Sequence, residues 1–185
     1  VTVNGLAPGN SVFLENNGGD LLEVSSNNSL TNFSIQVGNG LEYLVTFFSQ
    51  PTTPNQTCQF TTPSTGTING TDAAVIQVEC VTESYFIGGT VSGLLDGNYM
   101  VIQNNKGDDE IIMSNGAYLF STPLFDEENY NVQIFMQPVN PIQPCIVDNN
   151  SSNLAGFDVD DVDINCEIGN DFIFRNGFEG LPLTF

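Results

Sequence analysis

Apolar and polar residues alternate along this chain in short runs separated by polar turns. Ile76, Val78 and Cys80 fall on one side of such a run, with Gln77 and Glu79 on the other. Val162, Ile164 and Cys166 repeat the pattern against Asp163 and Asn165. A period of two is the signature of a half-buried strand. Tyr43, Val45 and Phe47 share a face in the same way, as do Tyr130, Val132 and Ile134. The runs Val12-Phe13-Leu14 and Met100-Val101-Ile102 lead into Asn-Asn-Gly-Gly (16–19) and Asn-Asn-Lys-Gly (104–107). Asn and Gly tolerate positive φ, so both read as hairpin turns. The return strands are 21–24 and 110–113. No window carries a 3.6-residue apolar period, and Gly, Asn and Pro interrupt every candidate helix. The pattern predicts an all-β protein of antiparallel β-sandwiches.

The pattern also occurs twice. Val3-Asn4-Gly5-Leu6 matches Val91-Ser92-Gly93-Leu94, and Gly9-Asn10 matches Gly97-Asn98. Glu15 to Asp20 matches Gln103 to Asp108, and Val45 to Pro51 matches Val132 to Pro138. The offset drifts only from 88 to 86, as small loop insertions require. The repeat gives two Ig-like domains, at 1–80 and 85–166, with a linker at 81–84 and a tail at 167–185. Each copy holds two cysteines at matching places, 22 and 21 residues apart. The repeat selects Cys58–Cys80 and Cys145–Cys166 from the three pairings that four cysteines allow. Two cysteines per copy without any His do not close a structural zinc site. Disulfides imply an oxidising compartment, hence a secreted protein, extracellular or on the cell surface.

Composition narrows the chemistry. Asp and Glu number 22 against two basic residues, Lys106 and Arg175, for a net charge of −20. Such a chain repels nucleic acid and anionic lipid, whose phosphates need cations. No apolar stretch is long enough to span a membrane, so no membrane insertion is expected. With no His, the usual general base near neutral pH is missing, and the cysteines are consumed in disulfides. The expectation is a protein that is not an enzyme and needs no cofactor. The densest acidic run supplies weak calcium candidates, Asp158, Asp160, Asp161 and Asp163. Neighbouring acids on a strand point to opposite faces, so a solvated strand is the simpler reading.

The stretches Gly-Thr-Val-Ser-Gly-Leu (89–94), Gln-Asn-Asn-Lys-Gly-Asp-Asp (103–109), Tyr-Asn-Val (130–132) and Gln-Pro (137–138), with the cysteine pair, resemble a tandem repeat of large secreted bacterial surface proteins. The resemblance covers about 1–166 and fits the second copy better. The tail, Ile173-Phe174-Arg175-Asn176-Gly177-Phe178-Glu179, resembles a short C-terminal motif of exported bacterial proteins. The family implies secretion and a surface role, and no reaction. Copy two opens with Ser84 to Gly88 before its first matched strand, whereas copy one opens at Val1, aligned with Gly89. Copy one is therefore expected to lack its first strand, with either a leader removed ahead of Val1 or a numbering that starts at a mature end. The tail carries the apolar residues Phe172, Ile173, Phe174 and Phe178. An unpaired sheet edge and an exposed row of Phe are both unfavourable in water. Donation of the tail to domain 1 of another copy relieves both, and gives an open head-to-tail homopolymer; the other readings of the tail are that it folds back on domain 2 or serves as a sorting signal read by export machinery. The expected role is a structural filament subunit. The alternatives are a monomeric adhesin-type module holding a glycan or protein ligand, and a passive spacer.

Overall fold

The computed structural model describes residues 1–71 and 73–167. Their strands are β1 Thr2–Asn4, β2 Val12–Asn16, β3 Asp20–Val24, β4 Glu42–Ser49, β5 Gln56–Phe60, β6 Thr65–Thr67, β7 Gln77–Thr82 and β8 Ser84–Tyr85. Next come β9 Gly88–Ser92, β10 Met100–Asn104, β11 Asp108–Ile112, β12 Gly116–Leu119, β13 Leu124–Phe125, β14 Asn129–Met136, β15 Cys145–Val147, β16 Ser151–Asn153 and β17 Ile164–Cys166. No helix occurs among the described residues. The protein is all-β and sandwich-like.

The chain packs into two compact units. Unit 1 comprises Val1–Phe86, Pro123–Asn129 and Asn153–Asp158, and unit 2 comprises Ile87–Thr122, Tyr130–Ser152 and the stretch from Val159. In unit 1 the sheets run β1-β7-β5 and β3-β2-β4-β6, with β8 and β13 paired separately. In unit 2 they run β12-β9-β17-β15 and β11-β10-β14-β16. The alternating residues do what their period predicts. Val3, Val78 and Cys80 from one sheet of unit 1, and Val12, Leu14, Leu22 and Val45 from the other, form one buried cluster. In unit 2, Val91, Ile164, Met100, Ile102 and Val132 are likewise buried. Both hairpin turns form. Asn17 and Gly18 stand at φ +50° and +68°, and Asn105 and Lys106 at +49° and +61°.

Three features lie outside the alternation. First, β1 pairs with β7 in parallel, and β9 with β17 likewise, within otherwise antiparallel ladders. Alternation gives faces, not strand directions. Second, residues 81–84, read from the sequence as a linker, carry the end of β7 and the start of β8. Val81 and Thr82 are β-branched and pair opposite Thr57 and Gln56. Third, each disulfide joins neighbours within one sheet. Cys58 faces Cys80 across β5 and β7, and Cys145 faces Cys166 across β15 and β17, with Cα atoms 3.9 Å apart in each.

Buried polar side chains fix the loops. Gln56 Nε2 donates to Gly5 O (2.9 Å), while its Oε1 accepts from Ala7 N and Asn10 Nδ2 (both 2.9 Å). Gln143, Gly93, Leu95 and Asn98 repeat this in unit 2. Each amide satisfies groups that are costly to bury unpaired.

Candidate functional site

Beside β1, unit 1 opens into a groove of about 670 Å³, lined among others by Val1, Asn16, Phe33, Tyr43, Ala73 and Ile76. Its two walls are irregular segments. One is 30–37, tied to the strand edge where Thr31 N donates to Val1 O (2.9 Å) and the Val1 ammonium donates to Thr31 O (2.8 Å). The other is 73–76, tied where Thr2 N donates to Ile76 O (2.9 Å). Large apolar side chains stand exposed along it, including Leu30, Ile35 and Val75. Such a row in water is unfavourable.

The matching place in unit 2 is filled by that unit's own chain. Ile87 is wholly buried there. It bridges Val159 in parallel on one side, and on the other its carbonyl accepts from Phe120 N (2.9 Å). Gly88 N donates to Val159 O (2.7 Å). Val159 lies seven residues before Cys166, as Ala73 lies seven before Cys80. Phe120 lies two residues beyond Tyr118, the partner of Gly89. Phe33 lies two beyond Thr31, the partner of Val1. By these offsets Phe33 and Ala73 stand at the groove where unit 2 has Phe120 and Val159 on either side of Ile87.

Two polar groups sharpen this site. Asn16 is buried, and its Oδ1 has no hydrogen-bond partner. In unit 2 the corresponding Asn104 Oδ1 accepts from Asn131 N (3.1 Å). In unit 1 the corresponding N–H, that of Leu44, is taken by Asn17 Oδ1 instead (2.9 Å). A buried acceptor without a donor is costly, so Asn16 leaves an open demand at the groove wall. Asp20 holds the 30–37 wall in place. Its carboxylate accepts from Ser34 Oγ and Ile35 N, each at 2.7 Å. The Ser34 hydroxyl first, and then the Ile35 N–H, hold its carboxyl below the ordinary carboxylate range.

The acidic run that supplied the calcium candidates is spread out. Asp158 Oδ1 accepts from Phe86 N (2.8 Å). Asp163 Oδ1 accepts from Thr90 N (2.9 Å) and Thr90 Oγ1 (2.6 Å). These bonds from Thr90, the hydroxyl first, lower its pKa. Asp161 accepts from Asn149 Nδ2 through its main-chain carbonyl (3.2 Å) and its carboxylate (3.3 Å). Asp160 is exposed. Among the described residues, no three acidic or cysteine side chains converge as a metal cage does.

Cys58, Cys80, Cys145 and Cys166 are all disulfide-bonded, and no free cysteine stands among the described residues. Two disulfides suit an oxidising, extracellular environment. No helix among the described residues is long and apolar enough to cross a membrane. The tail residues Phe172, Ile173, Phe174 and Phe178 lie outside the described residues.

No protein-family model matches the chain, and no curated protein matches it.

Proposed function

We propose that this protein is a non-enzymatic structural subunit of a secreted, cell-surface assembly. Copies join head to tail when the C-terminal segment of one adds a strand to unit 1 of the next. The carrying observation is the groove beside Val1, lined by apolar and polar residues together, whose counterpart in unit 2 is filled by the buried Ile87. Strand addition draws affinity from main-chain hydrogen bonds and register from side-chain pockets. The donor and acceptor surfaces differ, so the contact is heterologous and the assembly open. The apolar tail, Phe172 to Phe178, is the segment with the composition to fill such a groove. Secretion is supported by the disulfides and by the resemblance to bacterial surface repeats. The lack of His and of free thiols supports a role without catalysis.

Negative-stain electron microscopy of the purified protein, beside a form cut after Cys166, tests the reading. Filaments in the first and none in the second are expected. Single particles in both would leave an adhesin-type module or a spacer.

A further inference from the structure

The two copies hand on to the chain beyond them at the same spacing. Ile87 stands seven residues after Cys80, and Ile173 seven after Cys166. Each is preceded by a phenylalanine, Phe86 and Phe172. After the first copy, this Phe-Ile pair delivers Ile87 into the core of unit 2, where it is wholly buried.

We infer that Ile173 of one copy seats between Phe33 and Ala73 of a second copy, as Ile87 seats between Phe120 and Val159. This rests on the tail-donation reading and gives it a register and an anchor residue. The bonds of Ile87 define the ladder. The Ile173 carbonyl takes the Phe33 N–H, and the N–H of Phe174 goes to Ala73 O. The groove walls offer the matching apolar surfaces, Phe33 on one side and Ala73 and Ile76 on the other.

The inserted stretch is short. Phe174 falls where unit 2 has Gly88, a position at which an added Cβ meets Tyr118 O at 2.4 Å. The next position is held in unit 1 by Val1. The strand therefore turns out of the groove at Phe174, and Ile173 is the last residue to go deep. Asn16 supplies a second determinant. Its unpartnered buried oxygen lines the groove, and the incoming segment brings donors, namely its main-chain N–H groups and the guanidinium of Arg175. The alternative occupant is the molecule's own tail, folded back into its own groove.

Two full-chain variants separate these cases. Ile173→Asp keeps the groove and spoils the donor. Ala73→Arg blocks the groove at an exposed wall residue and keeps the donor. Mass photometry is run on the unaltered protein, on each variant alone and on their mixture, with thermal melts to show that each is folded. The unaltered protein is expected to form an oligomer series. Each variant alone stays monomeric, because a buried Ile exchanged for a carboxylate weakens association by about 100-fold or more. The mixture gives dimers that grow no further, since one partner has only a donor and the other only an acceptor. Oligomers that persist in both variants overturn the Ile173 register while leaving the filament reading standing. An unaltered protein that is monomeric, with a melting temperature that falls in Ile173→Asp, means self-insertion and overturns the intermolecular joint. A monomer indifferent to Ile173→Asp sinks both readings.

Discussion

At the scale of single residues, the closest constraint sits on two matched glycines. Gly5 and Gly93 adopt φ +75° and +76°, and a Cβ on either meets the carbonyl oxygen of Cys80 or Cys166 at 2.1 Å. The carbonyl belongs to the disulfide-bonded strand, so it cannot retreat cheaply. Gly93→Ala is expected to destabilise unit 2 by about 2–4 kcal/mol, through backbone strain and overlap together. Gly97→Ala is the control. It too has positive φ, +82°, but nothing lies within 4 Å of its Cβ, so it costs only about 1–2 kcal/mol. Urea unfolding of the two variants measures the difference, and equal costs would refute the close-approach account. The matched Gly5 and Gly93 were legible in the sequence as identical residues at the start of each copy. The reason for the identity was not, because it lies in a carbonyl some 75 residues away along the chain (Gly5 to Cys80).

At the scale of elements, the regular strands were readable and the walls of the groove were not. Strands with clean alternation, such as Val78 and Cys80 against Gln77 and Glu79, put the expected side chains inside. The hairpin at 16–19 formed because Asn and Gly accept the left-handed region. Phe33, Ile35 and Val37 alternate with Ser34 and Gln36, and Ile76 continues the alternation of Val78 and Cys80, yet 30–37 and 73–76 form no strand, because a few hydrogen bonds hold them instead of a ladder. Nor does any pattern show that Asn17 takes the N–H of Leu44 and leaves Asn16 without a donor. The Asp20 clamp on Ser34 and Ile35 is of this kind, and it carries a pH signature. The Ser34 hydroxyl and the Ile35 N–H hold its carboxyl below the ordinary carboxylate range when folded. A depressed carboxylate contributes stability that is present above its unfolded pKa and lost as pH falls through its folded pKa. The groove wall is therefore firm at neutral and mildly acidic pH and loosens only in stronger acid. The amide proton of Ile35, followed by NMR, should titrate with a midpoint below that of an ordinary Asp carboxyl. In Asp20→Asn that step disappears. A midpoint at or above about 4, the ordinary Asp value, would show that the clamp does not hold in solution.

At the scale of the whole molecule, charge opposes association. Each molecule carries −20, so every joint brings strongly like-charged bodies together. Salt shortens the reach of that repulsion, to about 8 Å at physiological ionic strength against about 30 Å at 0.01 M. Assembly through an apolar strand joint should therefore strengthen as sodium chloride rises from 0.01 to about 0.15 M, the reverse of association driven by opposite charges. Mean oligomer size by light scattering across that range is the measurement, and a fall with added salt would point to ionic joints. Two further whole-molecule features could not be read from hydropathy. One is the parallel pairing of β1 with β7. The other is the composition of unit 1, which takes in Pro123–Asn129 and Asn153–Asp158. There Asp126, buried, accepts from Asn55 N at 2.6 Å and Gly156 N at 2.8 Å. Such pairings join residues far apart in the chain, and a local pattern carries no information about them.

The placement of each disulfide inside one sheet has a mechanical consequence. A pull on the segment beyond Cys166 acts on β17 at its end, where a hydrogen-bonded strand would peel from its neighbour one bond at a time. The link to Cys145 on β15 puts a covalent rivet at that point. Tension then passes into both strands together, and the 21 residues spanned by the link cannot unspool as slack. Stretched in a force experiment, the oxidised protein should lengthen by less than the reduced one, by the contour of those clipped loops.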